Sequence, residues 1–389
     1  MLFRLVGVLL ARLNSPLAYP WRCLSGGSFR ALAQRLIRVR GLAGDILRIN
    51  LAPGLPVRVQ METTDHCNLK CIMCTREVLP GMNSSSISIE TFREVVEQTE
   101  PFYVTMNGLG EPLLDKTIFD KLELLHAKGI MSSMPTNGTY IRREKLDRLA
   151  QNLPDILQLS IDGATKGSFE GIRKMGDFTK IVESYRAIAR RRADGQSRAG
   201  TSIRILCALQ KKNLFDFREM FTLFKSLPDV TFSLVPVFQY DADGVHFKDV
   251  VPDRADVIRL RTEIDEAIAT AKTQDEKDFY SAWRNAADGW MDAGRGAKPK
   301  AHCGSCTIPW YSTYIDAKGR VYPCCYLTET DHVMGNIHER PFEQVWRGER
   351  YRDFRRRLVR DRANLAGCKT CPRNDDRLLK TLGRLRPAL

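Results

Sequence analysis

From residue 57 the chain repeats one pattern six times: a short run rich in β-branched and apolar residues, then a stretch with helical periodicity. The runs are 57–63, 103–106, 131–136, 156–161, 202–209 and 230–237. Between them, segment 117–129 puts Ile118, Leu122 and Leu125 on one helical face and stops at Gly129. Segment 177–191 repeats this with Phe178, Val182, Tyr185 and Ile188, and residues 90–99 and 214–226 also read as helices. Alternating strands and helices predict a parallel sheet with right-handed crossovers. Such a sheet stays open or curls toward a barrel, and in both cases ligands gather at the C-terminal ends of the strands.

Around this core the 389 residues divide by composition. Residues 1–56 form a basic, helical N-terminal extension and 57–240 the α/β core. Residues 241–300 read as a helical linker region that breaks near 287–300. Residues 301–375 read as a separate, small cysteine-rich α+β unit, and 376–389 as a basic tail. No internal repeat or low-complexity tract appears.

Eleven cysteines could suggest a disulfide framework, but they cluster: three at 67–74, four at 303–325 and two at 368–371, with Cys23 and Cys207 alone. In a long chain without a convincing secretion signal, clustered pairs argue for metal or cluster ligation in a reducing compartment. Cys207, inside the apolar run IRILCAL, reads as a small core residue.

The first cluster lies in DHCNLKCIMC, just after the first strand, with spacing C-x3-C-x2-C. A structural zinc site needs four protein ligands, which His66 could complete. A cubic 4Fe–4S cluster held by three thiolates instead leaves one iron open to the amine and carboxylate of a small molecule. Three more motifs sit at successive strand ends. They are Gly108-Leu109-Gly110-Glu111-Pro112, Thr136-Asn137-Gly138, and Ser160-Ile161-Asp162-Gly163 with Arg173 downstream. Taken singly, the first two are ordinary turns and Arg173 an ordinary surface charge.

Together the four motifs closely resemble the radical S-adenosylmethionine (SAM) superfamily over about residues 57–240. The resemblance implies a partial (β/α)6 barrel core. It makes Cys67, Cys71 and Cys74 the ligands of a SAM-binding 4Fe–4S cluster, with Met73 near the adenine. Gly110, Glu111, Asn137, Ser160, Asp162 and Arg173 become the cofactor-binding set, Glu111 receiving the methionyl amino group. A guanidinium suits a carboxylate through two parallel hydrogen bonds. The implied chemistry is reductive cleavage of SAM to a 5′-deoxyadenosyl radical, which removes hydrogen from an inert C–H bond. A reductant such as flavodoxin or ferredoxin would supply the electron.

In the second unit, Cys306-x12-Gly319-x4-Cys324, Gly335-Asn336-Ile337, Val345-Trp346 and Cys368-Lys369-Thr370-Cys371 resemble the SPASM extension of the same superfamily. Gly319 is suited to turn a hairpin between TYID and RVYPC. Two all-cysteine clusters need eight thiolates, and this unit has six. That implies one auxiliary 4Fe–4S cluster, as in the shortened twitch form, on Cys306, Cys324, Cys368 and Cys371. Cys303 or Cys325 could replace one of them. A zinc ribbon on CGSC and CKTC is the alternative, because two C-x2-C pairs also have zinc spacing.

Lys plus Arg exceed Asp plus Glu by 60 to 46, which favours an anionic or polar partner. Residues 1–44 hold seven arginines and no acid. The apolar run 5–11 is far too short to span a bilayer, so the start reads as an amphipathic helix, a transit peptide or a membrane-surface contact of a cytoplasmic protein. The eight arginines of 347–362 read as a mostly solvated helix face.

Three functions compete. The first is radical dehydrogenation or epimerisation of a small or lipid-linked polar substrate. The second is peptide or protein maturation, for which the 56 residues before the core are too few to form a convincing peptide-binding module. The third is a non-catalytic zinc protein on nucleic acid. No nucleic acid is expected, since aromatic residues are not interleaved with the arginine runs.

Overall fold

The structure is a computed structural model. It describes residues 50–77, 79, 81–82, 84–142, 144–237, 249–293, 306–328, 331–368 and 371, together with 38, 41–42 and 45–46. The strongly basic start, Cys23, Cys303 and the basic tail lie outside the described residues. No helix among the described residues is long and apolar enough to cross a membrane.

All six expected core strands form: β1 (Arg58–Met61), β2 (Tyr103–Thr105), β3 (Met131–Thr136), β4 (Ile156–Ser160), β5 (Ser202–Leu209) and β6 (Val230–Pro236). Each pairs in parallel with the next, the partial (β/α)6 barrel expected for this chain. Helices Ile89–Thr99, Ile118–Ala127, Glu144–Gln151, Lys166–Ile172, Phe178–Ala193 and Phe217–Lys225 make the crossovers. Alternation along the strands explains the layering. Val59, Met61, Val104, Met134, Leu157, Leu159, Ile203 and Ile205 are buried in the main apolar core. The polar residues between them, among them Gln60, Thr105, Ser133 and Gln158, therefore line the opposite face of the sheet.

One expectation is corrected. The cysteine-rich unit is not separate. Strands β7 (Ser312–Ile315), β8 (Arg320–Tyr322) and β9 (Gly335–Asn336) extend the sheet to nine strands, in the order β9-β8-β7-β1-β2-β3-β4-β5-β6. β7 runs parallel to β1, pairing Arg58 with Ser312 and Met61 with Ile315. β7 and β8 form the hairpin expected at Gly319, whose φ of 78° favours glycine.

Region 241–300, expected as a helical linker with a break near 287–300, is described over 249–293, so the later part of that break lies outside the described residues. Helices Arg254–Thr270 and Gln274–Ala293 are both formed, and the second runs straight through ADGW. Leu260, Ile264, Tyr280, Trp283 and Trp290 pack with Cys207, Leu209 and Phe217 into a second core outside β5. The polar exposed face of these helices hides that apolar stripe from a reading of composition alone.

The arginine-rich segment becomes helix Glu349–Asp361. Most of its guanidinium groups are exposed as expected, but Arg355 is fully buried and Arg362 nearly so.

Candidate functional site

A cavity of about 320 Å³ opens at the C-terminal ends of β1–β4. Its wall includes Cys67, Cys71, Met73 and Cys74 from the loop after β1. Gly108, Leu109, Gly110 and Glu111 come from the loop after β2, and Pro135, Thr136 and Asn137 from the end of β3. Ser160 and Arg173 complete that side, and Cys325, Tyr326 and Thr328 enter from the cysteine-rich unit. Four motifs scattered over about a hundred residues thus meet at one opening.

Local structure holds each piece. Lys70–Cys71 and Arg173–Lys174 form a short antiparallel ladder, and Ile72 N donates to Ile172 O at 3.0 Å. That ladder sets Arg173 Nη1 3.8 Å from Cys71 Sγ. Asp162, fully buried, stands behind Arg173 rather than in the cavity wall: its Oδ2 lies 2.7 Å from Arg173 Nε, and its Oδ1 accepts from Ala208 N at 2.7 Å.

Glu111 is equally constrained. Its carboxylate accepts from Thr136 Oγ1 at 2.6 Å, Asn137 N at 2.7 Å and Leu113 N at 3.1 Å. Burial raises its pKa against those donors. Asn137 Nδ2 donates to Asn68 Oδ1 at 3.1 Å, tying the end of β3 to the cysteine loop. Gly110 is required by close approach, since a Cβ there would meet Thr64 O at 1.9 Å.

The sequence reading missed Glu62. This buried residue follows β1, and its carboxylate accepts from Leu109 N at 2.5 Å and Ala317 N at 3.1 Å. Desolvation, aided by nearby Asp316, pushes its pKa up to about 7 in spite of these donors. The available signal was an acid directly after a strand, in ETTDHC, opposite a glycine-rich loop.

The donor set fits an iron–sulfur cluster. Burial raises the pKa of all three thiols, that of Cys71 to about 12, and the sulfurs repel one another as thiolates. Thiolates so placed need positive charge, which ligated iron supplies. Three thiolates are one short of a closed structural zinc site, and on one cavity wall they fit a cluster that keeps one iron open.

In the second unit, Cys324 lies within electrostatic reach of Cys306 and Cys368, and Cys368 of Cys306 and Cys371. Their burial against the main core raises their pKa, that of Cys368 to about 12. Cys325 lines the cavity, where it meets Gln60 and Arg58, and it also lies within electrostatic reach of Cys371.

The sequence matches the model of the radical SAM superfamily over residues 61–221 and the SPASM iron–sulfur cluster-binding domain over residues 306–372. The chain belongs to the radical SAM superfamily. It is an enzyme of that superfamily, using S-adenosylmethionine, a SAM-binding 4Fe–4S cluster and auxiliary iron–sulfur chemistry in its SPASM domain. Similar curated proteins include the AdoMet-dependent heme synthase of Methanosarcina barkeri, 27% identical over 81% of this chain and 88% of that protein. The pre-heme d1 synthase of Dinoroseobacter shibae is 26% identical over 77% of this chain and 75% of that protein. Streptococcus suis SuiB, solved with bound S-adenosylmethionine, shares the fold with a TM-score of 0.60 at 15% identity, covering 90% of this chain and 79% of that one.

Proposed function

We propose that this radical SAM enzyme abstracts hydrogen from a C–H bond of a small polar or anionic substrate, leading to dehydrogenation, epimerisation or a related modification. In this reading Cys67, Cys71 and Cys74 hold the SAM-binding cluster. Glu111 and Asn137 receive the methionyl end, Arg173 and Ser160 its carboxylate and ribose, and Asp162 positions Arg173. Cys306, Cys324, Cys368 and Cys371 hold one auxiliary cluster. When bound, the cluster and SAM together supply a 5′-deoxyadenosyl radical.

The protein's own residues supply placement and dryness. Glu111, fixed by three donors, offers a preorganised acceptor that needs no rearrangement on binding. Arg173, braced by Asp162, presents a charge whose orientation is already set. Cys325, Tyr326 and Thr328 wall the cavity from the auxiliary side and narrow the space left for water beside a reactive centre.

The observation that carries the reading is this meeting of three thiols, Glu111 and Arg173 on a single cavity. A small substrate is favoured by the heme and pre-heme d1 synthases, which match 81% and 77% of the chain. AlbA of Bacillus subtilis, named for bacteriocin biosynthesis, matches 75% and supports a peptide as the second reading. Air-free reconstitution should give about eight irons per chain. With dithionite the protein should form 5′-deoxyadenosine. Cys71→Ala should lose about half the iron and all of that product. A fully active Cys71→Ala variant would refute the assignment. A modified peptide, with no small molecule turned over, would replace the substrate class.

A further inference from the structure

The inner face of the sheet carries a tier of polar groups that the assigned roles leave unused. Gln60 of β1, Thr105 of β2 and Ser133 of β3 are register partners across adjacent parallel strands, so they stand side by side on one face. Ser133 precedes Pro135 by two residues, and Pro135 lines the cavity, so this is the cavity's face. Gln60 reaches Cys325, another lining residue. Thr105 and Ser133 are 5% and 1% exposed, yet neither Thr105 Oγ1 nor Ser133 Oγ has a hydrogen-bond partner.

Arg58, two residues before Gln60 on the same face, adds a guanidinium. It lies over the Tyr103 ring, 5.8 Å from its centroid, and near enough to Cys325 to favour that thiolate. Its Nε is buried and has no acceptor, and no carboxylate among the described residues pairs with it. Unmet buried polar groups are costly and rare, and three together on one wall point to a ligand that meets them.

We propose that this strip, Arg58 with Gln60, Thr105 and Ser133, binds a carboxylate of the substrate. The planar guanidinium fork matches a carboxylate in two parallel hydrogen bonds, and the hydroxyls and amide supply further donors. One cation balances one negative charge. The acid Glu62, two residues past Gln60 on the same face, disfavours a phosphate dianion. The four residues sit within the strands, before the strand-end loops that carry the thiols and line the cavity, which leaves the cavity mouth to the nucleotide. This inference rests on the radical reading only for the ligand's role as substrate.

The test uses reconstituted holoenzyme with SAM, and equilibrium dialysis against labelled succinate, its neutral isostere succinamide and inorganic phosphate. Succinate should bind about tenfold more tightly than succinamide, the advantage of a charge-assisted contact, and more tightly than phosphate. Arg58→Gln should remove that preference, and Arg58→Lys should restore part of it. Thr105→Val with Ser133→Ala should weaken succinate binding severalfold without lowering Tm, because those hydroxyls hold no structural partner. This second pair of changes decides the matter should Arg58→Gln fail to fold. Succinate binding that is absent, or unchanged in Arg58→Gln, overturns the proposal, as does tighter binding of phosphate or a Tm lowered by the hydroxyl changes. Formation of 5′-deoxyadenosine by the wild-type protein reports separately on the radical reading.

Discussion

Glu62 and Ala317 are 255 positions apart in sequence, and the carboxylate of the first accepts the backbone N–H of the second at 3.1 Å. The same carboxylate holds Leu109 N at 2.5 Å, in the loop that carries Gly110 and Glu111. One side chain therefore ties the auxiliary-domain hairpin to the cofactor-binding loop. Glu62→Gln presents an amide N–H where one backbone N–H must be accepted, so one tie breaks and a buried donor loses its partner. That costs about 1–3 kcal/mol. We expect the KM for SAM to rise severalfold with a smaller change in kcat, and iron content to stay near that of wild type. Unchanged KM and melting would show that the loop is held by other contacts.

The same residue gives the fold a pH signature. Its ordinary value near 4.5 is raised to about 7 in the folded protein by burial. A raised carboxyl contributes stability that is fully present below the unfolded pKa and is lost as pH climbs to the folded one. Stability should therefore fall between about pH 4.5 and 7 and level off above, by up to about 3 kcal/mol. Denaturant titrations of the reconstituted protein at pH 5.5, 6.5 and 7.5 would read this slope. Glu62→Gln should flatten it, and an equal slope in the variant would assign the effect elsewhere.

Arg173 and Asp162 form a buried ion pair at 2.7 Å, set against Cys71. Removing one member leaves the other charged and uncompensated, which costs about 3–5 kcal/mol. Asp162→Asn should therefore lower Tm and loosen Arg173, raising the KM for SAM though Asp162 stands behind the cavity wall. Arg173→Lys keeps the charge but loses the fork, so it should rescue stability better than SAM affinity. Rescue of both together would reduce Arg173 to a structural cation.

How much of this was legible in the sequence follows from how local each signal is. Cys67, Cys71 and Cys74 share one short loop, and Gly110-Glu111, Asn137 and Ser160 lie at or just past strand ends, so local motifs read together through their family resemblance were enough to nominate them. β7 is only Ser312–Ile315, and nothing in four residues says that it pairs with β1 across about 250 positions. Cys324 and Cys325 are adjacent, and only the turn after β8 sends one thiol toward Cys306 and the other to the cavity. Glu62 and Arg58 went unread in the sequence because the groups they meet, such as Ala317 and Cys325, come from distant segments.

Arg355 shows the same dependence on distant partners. Its guanidinium is buried between the rings of Trp346 and Tyr351, at 4.3 and 4.5 Å, with Asp45 near enough to act on its charge but no ion pair formed among the described residues. It donates to the carbonyls of Pro309 at 2.9 Å, Leu51 at 2.9 Å and Trp346 at 3.2 Å. Desolvation lowers its pKa to about 10. Arg355→Met keeps most of the packing but strands these acceptors, and should cost about 2–4 kcal/mol. Arg356→Met, on the exposed face, should cost less than about 0.5 kcal/mol. Equal losses in urea titrations would contradict the buried staple.

The adjacent thiols Cys324 and Cys325 give the sharpest separation of roles. Cys324 lies with Cys306 and Cys368 against the core, whereas Cys325 lines the cavity beside Arg58 and Gln60. Cys324→Ser should reduce iron from about eight to about four per chain, because an all-cysteine cluster loses a ligand. Cys325→Ser should keep about eight irons and an unaltered auxiliary-cluster EPR signal. The Cys325 thiol should also be alkylated by iodoacetamide in folded holoenzyme, with SAM slowing the reaction by closing the cavity. Iron loss in Cys325→Ser would make this thiol the fourth ligand and move Cys324 into a purely structural place.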